Sequence, residues 1–184
     1  NATALAGLLA EGRRVLVGTT EHDSVLRAVP EAERIPVGRD GVIALGALEA
    51  ALVADPRPAG VAVMLANNET GTLQPIAAVA ALCRRFSARL HVDAVQAPGR
   101  LPLGDLGALG ADTLALSAHK AGGPKGSGAL LLASGWCPGP LLRGGGQERG
   151  MRAGTEPLPA IAGFAAAAAA AEAWRAAGGA ARLA

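Results

Sequence analysis

Short runs of β-branched residues and leucine alternate with longer stretches of helical periodicity through most of this chain, and few folds accept that alternation. The runs predict strands at residues 14–18, 34–37, 60–66, 89–93, 112–117 and 128–133, and helices at 23–28, 45–54, 75–87 and 157–177. Strands interleaved with helices belong to an α/β fold with a mainly parallel central sheet and helices on both faces. Pro75 and Pro157 stand where a helix begins, and Gly178-Gly179 stops the last one. The alanine run 165–171 extends that helix, because alanine is the strongest helix former. No repeat and no linker divides the 184 residues, so one domain spanning residues 1–184 is expected.

Polar clusters fall just past the carboxyl ends of the apolar runs. Gly18-Thr19-Thr20-Glu21-His22 follows the first strand, and Asn67-Asn68-Glu69-Thr70-Gly71 follows the third. Asp93-Ala94-Val95-Gln96 closes the fourth, and Ser117-Ala118-His119-Lys120 closes the fifth. In an open parallel sheet these ends share one rim, where ligands of α/β proteins bind.

Composition removes several classes of function. An aromatic content of 2% leaves little for stacking single-stranded nucleic acid, and a net charge of +2 with mixed signs gives no basic face for a phosphate backbone. No apolar stretch free of Gly, Pro or charge reaches membrane-spanning length, and the start at Asn1 lacks the order of a secretory signal, so a cytoplasmic setting is expected. Cys83 and Cys137 lie far apart without metal-ligand spacing, so neither a disulfide framework nor a metal site is implied. Cys83 reads as a buried thiol in a helix and Cys137 as a loop residue.

The lysines carry the chemical signal. Only Lys120 and Lys125 occur, both within Ser117-Ala118-His119-Lys120-Ala121-Gly122-Gly123-Pro124-Lys125-Gly126, while arginine supplies the remaining positive charge. A guanidinium stays protonated and is no amine nucleophile, so a lysine kept among Ser, His and glycine suggests a carbon–nitrogen double bond to a carbonyl. Pyridoxal phosphate needs such an amine, an anion near its ring nitrogen, donors for its phosphate, and groups to fix its ring face and phenolic oxygen. Lys120, Asp93, Ser117 with His119, His22, and Asn68 with Gln96 answer those needs in that order. Each also has a structural reading: a solvated loop lysine, a helix cap or turn aspartate, a glycine turn into the next strand. The glycine-rich stretch 144–155 reads either as a flexible loop or as an ordered phosphate or subunit contact.

Taken together, Glu21-His22, Asn67-Asn68-Glu69-Thr70-Gly71, His91-Val92-Asp93-Ala94-Val95-Gln96, Ser117-Ala118-His119-Lys120 and Gly144-Gly145-Gly146-Gln147-Glu148 through Thr155 resemble, in order and approximate spacing, the cysteine desulfurases of the class V aminotransferase fold. The last motif is more similar to the iron–sulfur-assembly and nitrogen-fixation branch than to the selenocysteine-lyase-like branch. The resemblance implies an aspartate aminotransferase-like large domain in which Lys120 binds pyridoxal phosphate and His22 stacks on it. Asp93 would pair with the ring nitrogen, Asn68 and Gln96 hold the phenolic oxygen, and Ser117 and His119 bind the phosphate. Thr155 would reach the neighbouring subunit's site in a homodimer. The implied reaction converts L-cysteine to L-alanine and passes sulfur, as an enzyme persulfide, to an acceptor or scaffold protein.

Some of the family's pattern is absent from these residues. The phosphate loop would lie before Asn1, and the smaller domain with the sulfur-accepting cysteine and substrate-binding arginine would lie beyond Ala184. Gly122 stands where a larger residue is frequent. Another class V enzyme, an aminotransferase or a selenocysteine lyase, would use the same lysine, and a degenerate relative would keep the fold as a dimerisation module.

Overall fold

The computed structural model describes residues 1–104, 106–133 and 135–179. Six strands form one sheet: β1 (Arg14–Gly18), β2 (Glu33–Ile35), β3 (Ala59–Met64), β4 (Arg89–Asp93), β5 (Thr113–Ser117) and β6 (Gly128–Leu132). Their order is β2-β1-β3-β4-β5-β6, with the first five parallel and β6 antiparallel to β5. The reversal follows from chain length. A parallel return needs a crossover of a dozen or more residues, and the β5–β6 connection at residues 118–127 holds only one 3-10 turn.

Helices cover both faces, as the alternation of runs requires. On one face α3 (Leu45–Ala54) and α4 (Ile76–Arg85) bury Leu48, Leu52, Val79 and Cys83 against Leu16, Val61, Val63, Leu90 and Val92. On the other, α1 (Ala2–Ala10) and α2 (Asp23–Leu26) bury Leu5, Leu8 and Val25 against Val15, Val17 and Ala62. Strand β3 is buried at all six positions, which fits a centre covered from both sides. Among the described residues, no helix is long and apolar enough to cross a membrane.

Two helices were not expected. Helix α1 has no acid in its first turn and no base in its last, so it shows neither the charge bias nor the polar face that marks a surface helix. Helix α5 (Leu106–Leu109) is a single turn. Helix α6 (Leu158–Ala176) ends where Gly178-Gly179 was expected to stop it. Gly178 adopts φ +77°, its N–H bonding Arg175 O at 3.0 Å while Gly179 N–H bonds Trp174 O at 2.9 Å. These two bonds satisfy the last carbonyls in a Schellman motif, whose left-handed position is adopted most readily by glycine.

Strand β1 lies between β2 and β3, so the chain leaves β1 for one edge of the sheet and returns on the other side. That switch opens a crevice at the carboxyl ends of the strands. Helix α1 packs Leu8 against Gly60 of β3, which presents no side chain there, and Asn1 at the head of the helix lines the crevice. A Cβ on Gly60 would stand 2.6 Å from Leu8 Cδ1, inside a fully buried contact. Gly60→Ala should therefore lower stability by about 1–3 kcal/mol through overpacking, read as a reduced midpoint in denaturant unfolding at an unchanged slope.

Candidate active site

The rim of the sheet carries a cavity of about 360 Å³. His22 enters it from the turn after β1, Asn68 from the loop after β3, Asp93 and Gln96 from the end of β4, and Ser117, His119 and Lys120 from the end of β5. Seven of the eight residues singled out in the sequence thus share one wall. Thr155, the eighth, is exposed on the loop after the 3-10 turn Gln147–Gly150 and does not line this cavity. The two lysines separate cleanly: Lys120 lines the cavity, and Lys125 is exposed in the turn that leads to β6.

Asp93 is buried, and each of its oxygens has a donor. Val95 N–H reaches Oδ1 at 3.0 Å, and the Asn1 side-chain amide reaches Oδ2 at 2.6 Å. The Asn1 Nδ2 also donates to Ser24 Oγ at 2.6 Å, and its Oδ1 lies 2.9 Å from His91 Nε2. His91 Nδ1 in turn lies 2.8 Å from Thr113 Oγ1. One assignment satisfies every atom: a neutral His91 donates from Nε2 to Asn1 and accepts the Thr113 hydroxyl at Nδ1. Burial favours that neutral form, driving the His91 pKa down to about 3.

His22 is held from its other side. Its Nδ1 accepts the Ser24 N–H at 3.1 Å and lies 2.9 Å from Ser24 Oγ, so Nε2 carries the ring proton in the neutral form. At the mouth, Ser117 Oγ and His119 Nδ1 are 2.8 Å apart. Arg100 bonds the main-chain carbonyls of Gln96 and Lys120 at 3.2 and 3.3 Å, tying the β4 and β5 exits together.

Glu21, beside His22, is 6% exposed. Its Oε1 accepts Met64 N–H at 2.8 Å, and its buried Oε2 has no partner among the described residues. Burial pushes its pKa up from 4.5 to about 8, opposed by the Met64 bond and assisted by the nearby Asp93 charge. The cysteines stand apart from this chemistry. Cys83 is buried in α4 with its thiol pushed up to about 12 by burial, and Cys137 is exposed with its thiol 3.1 Å from Met151 Sδ.

Asn1, Ser24, His91 and Thr113 were not singled out from the sequence. His91 carried a usable signal, since on an extended strand it shares a face with Asp93 two residues on. Asn1 carried none, because its partners lie 23, 90 and 92 positions away.

The sequence model of the aminotransferase class-V family matches residues 1–182. The chain belongs to this family. It is 47% identical over 160 residues to a cysteine desulfurase of Cereibacter sphaeroides, covering 83% of this chain and 41% of that protein. It is 44% identical over 171 residues to a cysteine desulfurase of Klebsiella pneumoniae, covering 89% and 42%. Among solved structures, a NifS-like protein from Rickettsia africae aligns with a TM-score of 0.86 at 34% identity, covering 94% of this chain and 50% of that one. DndA from Streptomyces lividans aligns at 0.81 with 36% identity, covering 95% and 53%. The chain therefore spans about half the length of the relatives it matches, and all of its matched length follows the class-V fold.

Glu21 and His91, both buried, set opposite pH limits. A carboxyl at about 8 in the fold and 4.5 when unfolded costs stability as pH rises between those values, by about 1.4 kcal/mol per pH unit, because the folded state then holds the extra proton. His91, at about 3 in the fold and 6.5 when unfolded, has the reverse sign, losing stability as pH falls through that range. The contributions cancel near pH 5–6, and above about pH 6.5 the Glu21 decline is opposed by the Asn1 ammonium, whose pKa burial lowers from 8.0. Unfolding free energies measured across this range should fall further with pH, or rise less, in the native chain than in Glu21→Gln, the difference between the two being the Glu21 contribution.

Proposed function

We propose that residues 1–184 are the large, pyridoxal phosphate-binding domain of a cysteine desulfurase. The complete protein would act in the cytoplasm as a homodimer, converting L-cysteine to L-alanine and transferring sulfur as an enzyme persulfide toward iron–sulfur cluster or thio-cofactor synthesis. The single observation that carries this function is the shared cavity: a primary amine, Lys120, opens into the same space as Asp93, a buried carboxylate with donors on both oxygens.

The residues fit the cofactor by their chemistry. When bound, pyridoxal phosphate supplies an electron sink for negative charge developing at the substrate α-carbon. Lys120 provides the amine for its aldehyde. Asp93 would hold the ring nitrogen, its negative charge favouring the cationic heterocycle. The Asn1 amide and Val95 N–H keep that carboxylate oriented. His22 would lie against the ring, and with its Nδ1 committed to Ser24 its Nε2 would be the nitrogen able to exchange a proton. Ser117 and His119 donate to the phosphate, Asn68 and Gln96 to the phenolic oxygen, and Thr155 serves the corresponding site of a second copy.

Neither cysteine suits the role of sulfur acceptor. Cys83 is sealed in the core, and neither thiol lines the cavity. The attacking thiolate would come from the remaining half of the protein.

Incubating the full-length protein with pyridoxal phosphate, reducing with borohydride and mapping the modified peptide should locate the cofactor on Lys120. Lys120→Ala should remove the modification. Asp93→Asn should retain it while weakening cofactor binding by about tenfold or more, as expected for loss of a partly buried charge pair. Modification of Lys125, or of neither lysine, would overturn the assignment.

A further inference from the structure

Strand β1 stops pairing with β3 at Val17, opposite Ala62, yet β3 continues to Met64. The chain stays with β2 for one more bond, Thr19 N–H to Ile35 O at 3.0 Å, and then turns, with Glu21 N–H bonding Gly18 O at 3.3 Å. This departure leaves the Met64 N–H without a main-chain acceptor from β1. The Glu21 carboxyl takes that place at 2.8 Å, and Asn67 adds a second tie by donating from Nδ2 to Thr20 O at 3.2 Å.

His22 follows at once with φ −66° and ψ 151°, an extended conformation. Successive side chains on extended backbone point to opposite sides. Glu21 therefore turns into the protein beneath the sheet end while His22 turns toward the cavity, and fixing one fixes the other. An acid in a surface turn ordinarily stays hydrated, and burying it at a strand end costs free energy that the turn alone does not repay.

We propose that Glu21 is a positioning residue of the cofactor site: its carboxyl substitutes for the missing β1 carbonyl, anchors the β1–α2 turn to β3, and so sets where His22 stands against the bound ring. This inference rests on the cofactor reading given above. The acceptor oxygen is what matters, so the neutral isostere glutamine retains the function and alanine does not.

The test is a double-mutant cycle in the full-length protein with pyridoxal phosphate as the probe, comparing the native protein, Glu21→Ala, His22→Ala, the double variant and Glu21→Gln. Cofactor affinity and the induced circular dichroism of the bound chromophore report the ring's setting, and amide exchange at Met64 in the cofactor-free protein reports the anchor. Glu21→Ala should weaken binding by about tenfold, diminish the dichroic band, and speed Met64 exchange by about tenfold or more. Glu21→Gln should stay within about twofold of native in all three. In the His22→Ala background, Glu21→Ala should change affinity by less than about twofold, because the two residues act as one unit.

Additive losses in the double variant would overturn the proposal, as would a Glu21→Gln protein as impaired as Glu21→Ala. Should Glu21→Ala not fold, Glu21→Asp keeps the acid, loses one methylene of reach, and replaces it with the same expectations. If the native protein takes up no pyridoxal phosphate, the cofactor reading and the positioning role fall together. Fast Met64 exchange in Glu21→Ala then shows a structural anchor alone, and this outcome is distinct from native uptake with additive losses.

Discussion

A carboxylate at the end of a doubly covered strand is the constraint from which this site grows. Asp93 closes β4 with its side chain buried, where an anion deprived of water is stable only if the protein supplies equivalent donors. One donor is local, the Val95 N–H two residues on. The other must come from elsewhere, and it is the Asn1 amide at the head of α1. The position of α1 is thus part of the electrostatics of the rim. Its Leu8 fills the space that a Cβ on Gly60 of β3 would take.

The layout of the sheet was legible because burial on both faces writes itself directly into the chain. Strands β1 and β4 and helix α3 fall at the bounds expected from their apolar runs. The rim was legible for a related reason. Where an apolar run ends in Asp93-Ala94-Val95-Gln96 or Ser117-Ala118-His119-Lys120, polarity changes abruptly at a place where parallel strands deliver their carboxyl ends together. Position along the chain thereby became position in space.

What stayed hidden depends on contacts without a sequence interval. Asn1 bridges α1, α2 and β4, and no periodicity links those three elements. Helix α1 itself is drawn in alanine and leucine without charged ends, so it lacks the signals by which a helix announces its limits. Glu21 was visible as His22's neighbour, but its function lies in an acceptor position left vacant by β1. That vacancy exists only once the register of β1 on β3 is known. The orientation of β6 belongs with these, since connection length decides it and residue type does not.

Asp93 lines the cavity while Glu21 and His91 lie behind it, and the environments of these three ionisable side chains assign them different charges. The His91 imidazole is enclosed between Thr113 and Asn1, and burial drives it neutral. Burial likewise keeps the Glu21 carboxyl protonated at neutral pH, with the Asp93 charge adding to the same push. Of the two carboxyl groups, only Asp93 has a donor on each oxygen. Two neutral groups flanking one anion concentrate a single negative charge at one point on the floor of the cavity. A cationic heterocycle, were it bound there as proposed, would meet one carboxylate, with no competing imidazolium behind it and no second anion to move its proton. The hydrogen bonds that make burial of Asp93 tolerable are therefore the same ones that fix where that charge is presented, so the stability of the rim and the placement of its negative charge rest on one set of contacts.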